Sequence, residues 1–224
     1  MNVYSMGASN PKGFPLEAYE RSAFVATNPT PGTGIASLAA STSRSATVAF
    51  MNVFNGAATN GTEPYVIRPV YLRLMVNSAA SSAVNAYISG YLDQVQRYDT
   101  GGSAITEQAL VQSGEPDFTD PTSKAIIHFG LLTLDEATDE NLVLNCRLHD
   151  GAMAVDDVFT IWFGSGPSGG GTGNMESSDQ VVSPLFVRPG ANLSLHQWGA
   201  SQTADPEWEF DFLYIERPNA SQST

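Results

Sequence analysis

The chain is poor in cysteine and in long apolar runs. A single cysteine, Cys146, among 224 residues excludes an internal disulfide and argues against a disulfide-stapled secreted domain. No run approaches the roughly 18 consecutive apolar residues that a membrane-spanning helix needs, and residues 1–18 lack a basic stretch followed by an apolar block. We therefore expect a soluble protein with no membrane contact and no secretory signal.

Basic residues are also scarce. Ten Lys and Arg residues stand against 23 Asp and Glu residues, which gives a net charge of −13. Such a charge repels phosphate backbones, so we expect no direct nucleic-acid partner. Charged residues make up only 15% of the chain, and the abundant small polar residues indicate surfaces suited to permanent contacts with other protein chains.

The C-terminal stretch alternates aromatic and acidic residues with a period of two. Because successive side chains on a β-strand point to opposite faces, this pattern predicts a strand with one face in a core and the other facing water or a partner. The aromatic set is Trp208, Phe210, Phe212 and Tyr214, and the acidic set is Glu207, Glu209 and Asp211.

Further strand patterns recur upstream, separated by turn-rich segments. With almost no helical periodicity, they predict an all-β fold, an antiparallel jelly-roll sandwich of about eight strands. We expect this single domain to span residues 46–217, followed by a C-terminal tail at 218–224. The predicted strands are 46–55, 65–77, 85–93, 124–134, 141–149, 157–163, 181–187, 191–198 and 207–217.

Residues 1–45 are rich in Pro, Gly, Ser and Ala and show no clear strand or helix period. We interpret them as an extended N-terminal arm, with a disordered tail as the alternative. An extended segment has no core of its own, so a partner must compensate for its ordering. The expected anchors in the grooves of that partner are the aromatic residues Tyr4, Phe14, Tyr19 and Phe24.

Three residue patterns that could mark a phosphate-binding loop or a metal site lack the spacing or the neighbouring structure that such sites need. The glycine-rich run at 164–169 does not open a helix, as a phosphate-binding loop must. His128, His149 and His196 lack the spacing of a metal site, and the acidic clusters at 135–140 and 150–157 lack that of a calcium loop. We expect no cofactor and no metal ion.

The sequence also offers no good candidate for a catalytic residue. Glu207, Glu209 and Asp211 lie at a spacing compatible with paired glycosidase carboxylates, but the neighbouring aromatic residues point to the opposite face. Cys146 belongs to an apolar series with Leu144 and Leu148, where a thiol packs as a small hydrophobic group. We therefore expect no catalytic residue and no enzyme activity.

Two tryptophans lie on the outer faces of predicted strands. Trp162 is out of phase with Phe159 and Ile161, and Trp198 is out of phase with Leu193 and Leu195. Tryptophan is enriched in subunit interfaces, so we predict that both residues lie in one; a sugar-binding platform is the alternative.

Several segments resemble small jelly-roll virion proteins of tailed bacteriophages, a group that includes capsid decoration and cement proteins. The resemblance covers about three quarters of the chain, from residue 46 to residue 217. The resemblance lies in the general residue pattern of the strands and in their order. The segments are Ile67-Arg68-Pro69-Val70-Tyr71-Leu72-Arg73-Leu74, Tyr91-Leu92-Asp93, Val187-Arg188-Pro189-Gly190 before Leu193-Ser194-Leu195-His196-Gln197-Trp198, and Phe210-Asp211-Phe212-Leu213-Tyr214-Ile215-Glu216-Arg217.

The resemblance implies a structural role on the exterior of a phage head. Proteins of this group typically form homotrimers that bind a shell made by a separate major capsid protein, bridging and stabilising its capsomers. It also implies synthesis in the host cytoplasm and assembly into the virion. A receptor- or carbohydrate-binding jelly-roll domain of a virion fibre is the alternative.

Overall fold

The fold is all-β. A computed structural model describes residues 22–36, 43–57, 65–79, 86–109, 122–149, 153–164, 179–199 and 206–218. Within these ranges there are thirteen strands and no helix. The strands are β1 Ala23–Thr27, β2 Ile35–Ala36, β3 Val48–Asn55, β4 Tyr65–Ser78, β5 Ala86–Asp93, β6 Tyr98–Ile105, β7 Glu107–Ala109, β8 Ala125–Leu134, β9 Asn141–His149, β10 Val158–Phe163, β11 Asp179–Val182, β12 Asn192–Gly199 and β13 Glu207–Pro218.

The strands form two sheets that pack face to face. Sheet A has the order β11-β10-β4-β13-β1-β7, with β2 also paired to β13, and sheet B has the order β6-β8-β3-β12-β5-β9. Every pairing is antiparallel except that of β10 with β11. This arrangement confirms the predicted antiparallel, jelly-roll-like sandwich, with thirteen strands in the described ranges instead of about eight. Eight of the nine predicted strands agree within two residues, whereas the ninth, β11, ends five residues earlier than predicted.

The predicted two-faced strand at the C-terminus is the centre of sheet A. β13 pairs with β4 along its whole length, and Trp208, Phe210, Phe212 and Tyr214 are at most 3% exposed. The Phe210 ring stacks on Phe129 of sheet B at 4.1 Å between ring centroids. Burying one such side chain stabilises the fold by about 1.5–3 kcal/mol, so β13 joins the two sheets through its aromatic face.

The predicted extended arm is wrong for residues 22–36. β1 pairs with β13 from Ala23 to Thr27, and β2 pairs with the start of β13. Phe24, predicted to anchor in a partner, is 3% exposed and stacks on Tyr214 in the core of its own chain. The physical reason is that β13 has an edge beyond β4 whose backbone groups need partners, and β1 supplies them.

The sandwich therefore begins before residue 46. The other predicted anchors, Tyr4, Phe14 and Tyr19, lie outside the described residues, as does the predicted tail from 219 onward. Pro218, the first residue of that predicted tail, is the last residue of β13.

Candidate interaction surfaces

The outer face of sheet B carries a set of buried polar side chains, which we call the polar layer. Cross-strand pairing places Asn52 of β3 opposite Ser194 of β12, and His196 opposite Ser89 of β5. Directly paired residues share a face of the sheet. Although this face points away from the core, the members are at most 2% exposed. They are Asn52, Ser89, Asn192, Ser194 and His196.

A hydrogen-bond relay runs through the polar layer. His196 Nδ1 lies 2.7 Å from the carbonyl oxygen of Val48 and so donates to it, which leaves Nε2 to accept from Ser194 Oγ at 3.0 Å. Burial lowers the pKa of His196 to about 4, so the ring is neutral near pH 7. This serine and histidine pair was not predicted. Its Ser194 oxygen is closed off from solvent at 1% exposure, so the pair has a structural role in this state.

Other members of the polar layer are incompletely bonded. Asn52 and Asn192 each have a buried amide nitrogen and a buried amide oxygen without a hydrogen-bond partner in the described ranges, and Ser89 Oγ also has none there. By contrast, the buried amide of Asn55 donates to the carbonyls of Tyr65 and Val187 and accepts from Ala57. A buried polar group without a partner costs about 1–3 kcal/mol, which sets Asn52 and Asn192 apart from Asn55.

An ionic cluster, which we call the clamp, borders the polar layer. Its members are Arg44, Asp93, Arg97 and Glu140. Arg44 forms two hydrogen bonds to Glu140, of 2.7 and 2.6 Å, and these bonds lower the pKa of the Glu140 carboxyl. Arg97 is fully buried and lies 3.4 Å from both Asp93 and Glu140. The clamp thereby joins three segments that are distant in the sequence.

The backbone completes the clamp. Arg97 Nε donates to the carbonyl of Asp135 at 2.8 Å, and a terminal nitrogen donates to the carbonyl of Ala46 at 2.9 Å. The Arg44 guanidinium lies 3.6 Å above the Tyr91 ring, and Tyr91 in turn meets His196 edge to face. The segment carrying Arg44 is therefore fixed over one side of the polar layer.

Each outer face of the sandwich also carries a tryptophan paired with a tyrosine. On sheet B, Trp198 stacks on Tyr87 at 4.4 Å between centroids. On sheet A, Trp162 lies 5.3 Å from Tyr71. Both tryptophans are half-buried on the face opposite the core, as predicted, and their indole N–H groups are buried and have no hydrogen-bond partner among the residues that the structure describes.

Large apolar side chains are exposed elsewhere on the sandwich. Leu142 at 56% exposure lies on β9 opposite Tyr91 of β5, and Ile126 at 45% lies on β8 opposite Phe54 of β3. These positions add apolar area to the outer face of sheet B. Phe186 at 53% exposure lies outside the strands, near the start of β4.

The acidic face of β13 is also as predicted. Glu207, Glu209 and Asp211 are half-buried on the side opposite the aromatic residues, and Asp211 forms an ion pair with Arg73 of β4. The rings of the aromatic residues lie in the core, on the opposite face of the strand.

The histidines and the cysteine do not assemble into a reactive centre in the described part of the chain. His128 stacks on Tyr98 at 3.6 Å, and His196 belongs to the polar layer; the side chain of His149 lies outside the described set. Cys146 packs against the core, and burial raises the pKa of its thiol to about 11. Among the described residues, no group of three or more His, Cys, Asp and Glu side chains could hold a metal ion.

Comparison with known proteins gives no relative. No family model, no curated protein and no solved structure matches this chain. In the ranges that the structure describes, no helix is both long and apolar enough to cross a membrane.

Proposed function

We propose that this protein is a structural virion protein, a decoration or cement protein that binds the outer surface of a phage head. In this proposal it forms a homotrimer and bridges neighbouring capsomers of the major capsid protein. The strand-order resemblance described above supports the proposal, as does a sandwich built around a large aromatic core. The predicted arm contributes no support from residues 22–36, which belong to the sandwich itself.

The observation that carries the proposal is the presence of a half-buried tryptophan and tyrosine pair on each of the two outer faces. A bridging subunit needs two contact faces, whereas a protein that binds one small ligand needs only one site. Trp162 and Trp198 each keep a partly accessible ring beside a tyrosine ring. Aromatic rings of this kind are favoured in interfaces, where a partner covers the apolar surface that remains accessible.

The oligomeric state tests the first part of the proposal. Sedimentation at micromolar concentration should give a trimer, and Trp198→Ala or Trp162→Ala should shift it toward monomer. Phe186→Ala is a suitable control, because this ring is also exposed but lies outside the strands that carry the two tryptophans. A monomeric wild-type protein, or equal effects of all three changes, would contradict the assigned interface.

Capsid binding tests the second part. Phage heads stripped of this protein should lose resistance to heat and chelator, and adding the purified protein should restore it. Many weak contacts repeated over a lattice act together, so the effect should grow steeply with occupancy. Equal resistance of stripped and decorated heads would reject the cementing role.

One observation favours a second candidate, a carbohydrate-binding virion domain. The Tyr87 and Trp198 rings stack with an interplanar angle of 13°, so each ring leaves one face that the other does not cover, and a sugar ring can stack on an aromatic face of this kind. A glycan array would separate the two functions. Binding that is lost in Trp198→Ala while the trimer persists would favour the carbohydrate-binding domain over the cement protein.

A further inference from the structure

A pocket lies on the outer face of sheet A, where the turn between β1 and β2 crosses over β13 and β4. Its volume is about 360 Å³, and its walls include Pro31, Arg73, Met75, Val158, Glu209 and Asp211. This volume falls at the lower end of the range of about 300–1,000 Å³ typical of ligand sites. We call it the turn pocket.

The turn that covers this pocket is held in place by Asn28. Its side-chain nitrogen donates to the carbonyls of Thr33 and Trp208, at 3.0 and 3.3 Å, and its oxygen accepts from the backbone N–H of Phe210 at 2.8 Å. Asn28 is 8% exposed. With all three bonds made inside the fold, the turn is fixed against β13.

The walls of the turn pocket divide into an apolar part and a charged part. Pro31, Met75 and Val158 provide apolar surface, and Val158 is 38% exposed. The negative charge of Asp211 is compensated by its ion pair with Arg73. Glu209 makes no ion pair or hydrogen bond to another described residue, so the pocket as a whole carries one uncompensated negative charge.

We infer that the turn pocket receives a lysine or arginine side chain from a different protein that docks on sheet A. Such side chains combine an apolar stem with a cationic end, and this combination matches the Met75 and Val158 wall next to the Glu209 carboxylate. A metal ion fits less well, since Asp211 is already paired and only one carboxylate remains. The inference does not depend on the virion role, because any partner with an exposed basic residue would satisfy it.

The test is an NMR titration of the full-length protein with N-acetyl-lysine amide and N-acetyl-arginine amide. We expect shifts that saturate in the methyl groups of Met75 and Val158. N-acetyl-norleucine amide, which keeps the stem but lacks the charge, is the matched ligand. It should bind at least about tenfold more weakly, because a hydrogen bond to a charged group is lost.

Two variants of β13 test whether the Glu209 carboxylate binds the basic ligands. Glu209→Gln should weaken binding of both basic ligands by about tenfold or more, whereas Glu207→Gln, on the same face of β13 but outside the pocket walls, should leave it unchanged. Equal binding of the norleucine compound, or equal effects of the two variants, would overturn the inference.

Sedimentation of Glu209→Gln completes the test: dissociation of a homo-oligomer would show that a second copy, not a different protein, fills the pocket. An unchanged trimer with lost ligand binding would support the inference and leave the proposed assembly intact.

Discussion

The two outer faces of the sandwich follow the same sequence pattern but end in different environments. On sheet A, the outward acidic residues of β13, Glu207, Glu209 and Asp211, are half-buried, and Arg73 pairs with Asp211 close to solvent, with side-chain exposures of 56% and 24%. On sheet B, the polar positions of β3 and β12 form the closed polar layer beside a clamp whose Arg97 is fully buried. Strand periodicity predicts which residues share a face, but the covering of that face depends on segments elsewhere in the chain.

The largest expected difference between the faces lies in their ion pairs. Arg97→Met should lower the free energy of unfolding by about 3–5 kcal/mol, because it leaves the buried Asp93 carboxylate without its cation. Arg73→Met should lower it by no more than about 1 kcal/mol, because the Asp211 pair is solvated. Urea denaturation of both variants measures the comparison. Similar losses for the two would mean that the clamp is not the buried network described above.

A second comparison contrasts bonded and unbonded buried asparagines. Asn55→Leu should cost about 1–3 kcal/mol, since it leaves the carbonyls of Tyr65 and Val187 without their donor. Asn52→Leu removes a buried amide that has no partner, so it should change stability by less than about 0.5 kcal/mol or raise it. Chemical denaturation of both variants provides the measurement. A loss for Asn52→Leu as large as that for Asn55→Leu would show that bound water or another molecule bonds the Asn52 amide in solution.

Much of the fold was predictable because apolar alternation is a local property. The central strand was predicted by the alternation of Trp208, Phe210 and Phe212. The same periodicity predicted the outward positions of Trp162 and Trp198. β1 was missed because it is five residues long and is followed closely by Pro29 and Pro31. β6 was missed because Gly101 and Gly102 interrupt it with positive φ angles of 90° and 61°, which sequence patterns associate with turns.

The site features were less predictable because they depend on contacts between distant residues. Arg44 and Glu140 are 96 positions apart, and nothing in the pattern around either residue specifies the other. Asn28 and Phe210, which fix the turn pocket, are 182 positions apart. Glu209 was correctly placed on the outer face, but the turn that makes a pocket around it comes from a segment assigned to the arm. Ser194 and His196 share a face by their spacing of two, and only the covering of that face distinguishes a buried relay from a wet surface.

The last comparison concerns a pH dependence that originates in the polar layer of sheet B. The pKa of His196 is about 4 in the folded state, chiefly because of burial; Arg44 and Arg97 lower it further, while the Val48 carbonyl and Glu140 act in the opposite direction. The unfolded ring has a pKa near 6.5, so between about pH 6.5 and pH 4 the unfolded state binds the extra proton. The contribution of the neutral ring is therefore complete above pH 6.5 and is lost as the pH falls, by up to about 1.4 kcal/mol per pH unit.

Urea unfolding from pH 7 to pH 5 should show this slope, and His196→Gln, which cannot titrate, should show a shallower one. His128→Gln is the comparison variant: burial lowers the pKa of this more accessible ring as well, but the substitution should flatten the slope less than His196→Gln does. An unchanged slope in His196→Gln would mean that other groups dominate the acid sensitivity of the sandwich.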